Sequence, residues 1–321
     1  MNILITSAGQ RVSLVQAFKK ELSRLVSGGK VLTVDLNPEL APACYVADGH
    51  FQVPRVTDAN YIPTLLEICA ANNVKLIVPT IDTELLILSE HLQRFKEKGI
   101  TISVSDAALI RKCRDKRLTN ELFVAQGIAV PKQFKKGQFE YPVFVKPYNG
   151  SLSKGIFVAE KEEDISPEQL ENPELMFMQY ISPEEYDEYT VDCYFDKDSV
   201  LKSAVPRKRI FVRAGEINKG VTKKNAIVTQ LSQKLSYLPG ARGCLTVQVF
   251  YRESDESILG IEINPRFGGG YPLSYLAGAN YPRWLIQEYL FNQAVPAFDA
   301  WEADLLMLRY DAEVLAHHYE K

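Results

Sequence analysis

The chain has 321 residues, of which 46% are hydrophobic, and sets 37 lysines and arginines against 40 aspartates and glutamates. That length exceeds one typical domain and carries enough apolar material for a sizeable core. A net charge of −3 argues against a polyanionic partner, so no nucleic acid is expected; apolar runs such as Lys75–Pro79 are far shorter than the roughly 20 residues that cross a bilayer, so no membrane is expected either.

In chain order, Asn2–Thr6 reads as a buried strand, with no basic segment ahead of an apolar run that would mark a secretory leader. Residues 11–26 place Val12, Val15, Phe18, Leu22 and Leu25 at helical spacing. Lys30–Asp35 predicts a second strand, Tyr61–Asn72 a helix, Lys75–Pro79 a third strand, Glu84–Lys98 a helix and Ile100–Val104 a fourth strand. Strands separated by helices pair in parallel through right-handed crossovers, so residues 1–104 are expected to form a doubly wound α/β domain. The five cysteines are odd in number, scattered and without a CxxC pair, which disfavours a disulfide framework and makes the reducing cytoplasm the expected compartment.

After Ser105 the rhythm changes. Two helical stretches, Asp106–Arg114 and Asp115–Gln126, precede strand-like runs at Tyr141–Pro147, Gly155–Glu160, Leu175–Ile181, Tyr189–Phe195 and Val200–Val205. An amphipathic helix over 225–238, two strands at Cys244–Tyr251 and Ile258–Asn264, and a helical tail containing Tyr281–Asn292 follow. Consecutive strands without intervening helices indicate antiparallel sheets, so this part is expected to be α+β, divided into lobes 105–185 and 186–321.

Several familiar motifs fail. Ser7–Arg11 occupies the place of a dinucleotide fingerprint but holds only Gly9, so a nicotinamide site with Asp35 on the ribose is disfavoured. No Walker loop, HExxH or GxSxG is present, and His317 and His318 fit a solvent-facing tail.

The informative residues lie between 115 and 266. Lys146 ends a strand beside Pro147, ahead of a loop from Gly150 to Gly155 that contains Ser151 and Ser153. Such a loop can fold backbone N–H groups over phosphate oxygens while the lysine supplies charge; a mobile hairpin with a surface lysine accounts for the same residues equally well. Glu262 and Asn264, two apart, project from one strand face, and a hairpin would bring Gln248 beside them. A carboxylate and two amides suit magnesium, and Arg266 would aim a planar guanidinium at a transferring phosphoryl group. The connector Gln179, Tyr180, Ile181 could offer backbone to an adenine edge, with Glu184, Glu185 or Glu188 for a ribose, although read alone these acids fit a solvated loop better.

Lys116 within Asp115–Arg117, Val145–Pro147 with its glycine loop, Gln179–Ile181, Glu188–Val191, Gln248 and Glu262–Arg266 follow the order of the ATP-grasp superfamily. The chain resembles the synthetase module of the carbamoyl-phosphate synthetase large subunit and the ligase of pyrrolysine biosynthesis. The 262 − 248 = 14 separation of Gln248 from Glu262 is similar to that of the carbamoyl-phosphate synthetase type. The likeness spans roughly 105–292, with 1–104 resembling the α/β domain that precedes it in these enzymes. It implies a two-lobed ATP-grasp domain in which Lys116 and Lys146 contact ATP phosphates under the Gly150–Gly155 loop. It further implies Gln179, Tyr180 and Ile181 at adenine, Glu188 at ribose, Mg2+ (or Mn2+) on Gln248, Glu262 and Asn264, and Arg266 at the phosphoryl group. The implied activity joins a small-molecule carboxylate to an amine through an acyl phosphate, with a homodimer left open. A single module leaves no room for an ammonia tunnel, so carbamoyl phosphate synthesis is not expected. Arg207 and Arg209 alternate along Pro206–Arg213 and suit phosphate or a substrate carboxylate, or else a solvated basic edge strand. Thr80, Asp82 and Glu84 suit an amino group, or a helix cap. The competing functions are a nucleotide-binding regulator without turnover and an NAD-dependent dehydrogenase.

Overall fold

The structure, a computed structural model, describes residues 1–150, 155–213, 215–317 and 319; Ser151 and Ser153 of the glycine loop lie outside the described residues. Strands β1 (Asn2–Thr6), β2 (Val31–Asp35), β3 (Gly49–Gln52), β4 (Val74–Val78) and β5 (Thr101–Ile102) form one parallel sheet in the order β3-β2-β1-β4-β5. The doubly wound sheet is as expected, with one strand more. β3 escapes sequence reading because its only large apolar residue is Phe51 and it lies at the sheet edge. The helix expected over Glu84–Lys98 is two, Asp82–Glu90 and Leu92–Lys96, broken at His91.

A small antiparallel sheet follows, with β6 (Val143–Pro147) between β7 (Phe157–Ala159) and β8 (Leu175–Gln179). Its core is Phe134, Val143, Val145, Ala159 and Phe177. The large antiparallel sheet contains β9 (Asp187–Phe195), β10 (Leu201–Arg213), β11 (Glu216–Thr222), β12 (Gly243–Arg252), β13 (Ser257–Asn264) and β14 (Leu306–Leu308), ordered β13-β12-β9-β10-β11-β14. Period-two alternation sends Tyr189, Val191, Cys193, Val247 and Val249 to one face, where helices Lys116–Ala125 and Ala226–Lys234 cover them with Phe123, Ile227 and Leu231.

Two expectations need correction. β10 does not end at Val205 but runs to Arg213 with neighbours on both sides, so Arg207 and Arg209 are not on an edge strand. The tail is helical over Tyr271–Leu276 and Tyr281–Phe291; Asn292 closes the second helix with a left-handed φ of 52°, and the chain returns as β14 against β11. Between the parallel sheet and the large lobe lies one continuous core, in which Val15, Phe18 and Leu22 meet Phe267, Tyr271, Tyr281, Trp284 and Trp301. No helix among the described residues is long and apolar enough to cross a membrane.

Candidate active site

The polar face of the large sheet, β6 and β8 of the small sheet, and the turn after β4 enclose a cleft of about 630 Å³. Its floor follows from strand register. Gln248 pairs with Thr190 on one side and with Glu262 on the other, while Arg207 pairs with Thr190 across β10. Glu188, Thr190, Gln248, Glu262, Asn264, Arg207 and Arg209 therefore share one face and line the cleft. The Asn264 side-chain amide donates to Glu262 Oε1 at 2.8 Å, which leaves its carbonyl oxygen as the acceptor.

Lys116 opens its helix and reaches over the same place, donating to the Gly150 carbonyl at 2.6 Å and lying 3.9 Å from Glu262 Oε2. Lys146, at the end of β6, is only 7% exposed. Burial, then the like charge of Lys116, pushes its ammonium down to about 8, with Glu262 opposing the shift. The loop ends fold against Pro147: a Cβ would come within 3.2 Å of it at Gly150 and 3.3 Å at Gly155, whose φ is +71°.

Gln179, Tyr180 and Ile181 line the cleft beyond β8. The Gln179 N–H donates to the Lys132 carbonyl at 2.7 Å, whereas Ile181 has no hydrogen bond among the described residues. Of the three acids considered for a ribose, only Glu188 faces the cleft; Glu184 and Glu185 border a separate shallow depression beside Arg252. Burial raises the Glu188 carboxyl, Arg209 at 3.2 Å pulls it back, and the charge of Glu262 adds to the rise.

Arg266 is already engaged. Its Nε and Nη2 donate to Asp82 Oδ2 at 3.1 and 2.7 Å, and Nη1 donates to the Phe267 carbonyl. Asp82 begins helix Asp82–Glu90, so this pair ties the parallel-sheet domain to the large lobe. Thr80 and Glu84 do something else. Buried Glu84 accepts from Ser7, Tyr61 and the Thr80 and Ile81 N–H groups, and Thr80 donates to the Thr6 and Ser7 carbonyls, so both brace the turn. Asp35 accepts from the N–H groups of Gly9 and Asn37 at 3.0 Å each, which commits both of its oxygens to its own loops rather than to a ribose.

Arg207 is 1% exposed and bidentate on Asp192, at 2.8 and 3.0 Å, with Ser274 also donating to that carboxylate. A Cβ on Gly270 would fall 2.1 Å from Arg207 Nη1, so only glycine fits above the guanidinium. Among the described residues of the cleft, the cations Arg11, Arg114, Lys116, Lys146, Arg207, Arg209 and Arg266 face three carboxylates, Asp82, Glu188 and Glu262. The excess of positive charge fits an anionic guest.

Two family descriptions match this sequence: the PylC-like N-terminal domain over residues 3–103, and ATP-grasp in the biosynthetic pathway with Ter operon over 171–309. The chain carries an ATP-grasp domain behind a PylC-like N-terminal domain. N5-carboxyaminoimidazole synthetase from Staphylococcus aureus, complexed with ADP, superposes on 92% of this chain and 78% of its own, with a TM-score of 0.70 and 18% identity. L-amino acid ligase from Bacillus licheniformis superposes on 90% of this chain and 74% of its own (TM-score 0.66, 16% identity). Pyruvate carboxylase from Rhizobium etli matches 87% of this chain with a TM-score of 0.64 and 15% identity, and this chain spans 27% of that protein's length. Identities this low speak for fold alone. No curated protein matches the sequence.

Three features in or behind the cleft escaped sequence reading. Asp192 is the first; its place two residues beyond Thr190 on β9 was a readable signal, but its role as the seat of Arg207 depends on a strand 15 positions away. Arg11 and Arg114 are the others, brought to the wall by helix packing that no local pattern encodes.

Proposed function

We propose that this protein is an ATP- and magnesium-dependent carboxylate–amine ligase that works through an acyl phosphate. The observation that carries the reading is the meeting of Lys116 and Lys146 with the Gln248–Glu262–Asn264 face in one cleft, with Lys116 3.9 Å from Glu262. Its ATP-grasp fold and the ADP held by the S. aureus synthetase support it.

A divalent cation fits the donors present. No group of three or more His, Cys, Asp and Glu side chains among the described residues could hold a metal, whereas one carboxylate and two amide oxygens suit magnesium, which keeps waters and substrate phosphates as further ligands. Gln248, Glu262 and Asn264 would hold it, and it would neutralise phosphate charge. Lys116 and Lys146 would bind phosphates, Ile181 and Glu188 would hold the nucleoside, and Arg266 would take the transferring phosphoryl group. The γ-phosphoryl of ATP passes to a carboxylate oxygen of the acid, the bond to the β-phosphate oxygen breaks and ADP departs with the electron pair. The ammonium gives one proton to solvent, the free amine nitrogen bonds to the acyl carbon, the C–O bond to phosphate breaks with inorganic phosphate taking the electron pair, and the nitrogen releases a second proton to solvent to leave the amide. Positioning and fixed charge supply most of such catalysis.

The test is a phosphate-release screen of carboxylate and amine pairs with ATP and magnesium, read alongside product mass. Glu262→Gln and Lys146→Ala are each expected to lower kcat by about 10²–10³, the loss seen when one fixed charge-stabilising group is removed. Full turnover in both folded variants would refute the assignment. Binding of MgADP without phosphate release from any pair would favour a nucleotide-binding regulator.

A further inference from the structure

Of the three cleft carboxylates, Glu262 belongs with the lysines and the amide pair, and Glu188 is held by Arg209. Asp82, at the start of helix Asp82–Glu90, belongs to neither set. Among the described residues its side chain accepts hydrogen bonds from Arg266 only, through two donors at 2.7 and 3.1 Å, and the two side chains are 19% and 17% exposed. A ligase of this kind receives its amine as an ammonium ion, and a cleft with seven cations has few places where an ammonium is welcome.

Resting on the ligase reading above, we propose that Asp82 is the residue that receives the ammonium of the incoming amine, and that Arg266 vacates it when a phosphoryl group arrives. A guanidinium exchanges one carboxylate for a phosphoryl oxyanion of higher charge, to which its planar fork is equally matched. Once Arg266 turns, Asp82, 19% exposed, is left as a carboxylate without its partner, which is unfavourable. An ammonium restores the balance, and it does so beside the activated acyl group. The swap orders the reaction: the amine site is closed by Arg266 until the first half-reaction has delivered its phosphoryl group. Asp82 selects a primary amine that is charged in solution, and a neutral nucleophile gains nothing from it.

The test needs no knowledge of the natural acid. The full chain is titrated calorimetrically with MgADP and aluminium fluoride, a phosphoryl mimic, and the loaded and empty proteins are then titrated with 13C-methylammonium followed by NMR. Loaded protein is expected to hold methylammonium at least about tenfold more tightly than empty protein, a coupling of ordinary size between linked sites. Asp82→Asn is expected to abolish that difference and Asp82→Glu to restore part of it, with thermal melting as the check on folding. Equal methylammonium affinity for loaded and empty protein, or retention of the difference in Asp82→Asn, overturns the proposal while leaving the ligase reading intact. Absence of calorimetric binding of MgADP with aluminium fluoride removes the nucleotide site and takes both readings down together.

Discussion

Lys146 is the residue in which burial and function pull hardest against each other. A surface lysine would be charged well beyond pH 9, but here the surrounding apolar atoms and Lys116 hold the ammonium down to about 8. Its folded value is thus below the unfolded one, so the buried charge opposes folding below pH 8, and that cost fades as pH rises from 8 toward the usual lysine range. Ligand binding runs the other way. Phosphate needs the protonated form, so MgADP affinity is expected to fall by up to about tenfold per pH unit above 8, and Lys146→Ala should flatten that slope while weakening binding at pH 7. A calorimetric affinity that stays constant from pH 7 to 9.5 in the parent protein would remove Lys146 from the phosphate site. The residue type and its proline bracket were visible in the sequence. Its burial was not, because the atoms that cover it come from other segments. The same holds for Arg207, whose fixed carboxylate lies on the neighbouring strand.

At the scale of elements, the β12–β13 hairpin positions the Gln248–Glu262–Asn264 face, and a glycine sets how closely a helix approaches it. An added Cβ at Gly260 would sit 2.5 Å from Cδ2 of the fully buried Phe123 ring, so β13 has room there for hydrogen alone. Phe123 belongs to the helix that begins with Lys116, which means this contact seats the lysine over Glu262. Gly260→Ala is expected to destabilise the fold by about 1–3 kcal/mol through overpacking, and to weaken MgADP binding as the helix lifts. Thermal melting and nucleotide titration read the two effects. A variant as stable as the parent would show that the helix can give way freely. The hairpin was legible because Glu262 and Asn264 obey a period of two, and Gln248 faces them in a strand of ordinary length. β11 and β14 were not: the first is interrupted by Asn218, Lys219 and Gly220, and the second is three residues long after a stretch without regular structure.

For the molecule as a whole, the cores settle which parts unfold together. The parallel-sheet domain has one core of its own, containing Leu65, Ile77 and Phe95, and shares a second with the large lobe through Phe18, which meets Phe267 edge-to-face at 5.9 Å. The small lobe keeps a separate core. Both tryptophans, Trp284 and Trp301, lie in the shared core and in large-lobe segments. A substitution buried deep in the other domain therefore asks whether the two are one cooperative unit. Leu65→Ala, on helix Tyr61–Ala71 and away from the shared core, should cost about 2–5 kcal/mol. If the shared core couples the domains, tryptophan fluorescence and far-UV circular dichroism will shift together to a lower denaturant midpoint, because losing the parallel-sheet domain strips one side of the core in which the tryptophans sit. Independent domains would leave the fluorescence transition at the parent midpoint while circular dichroism gained an earlier step. Coupled unfolding is the outcome expected here, and it bears on function: the Asp82–Arg266 pair spans this same junction, so a rigid junction lets that ion pair exchange partners without the domains moving apart.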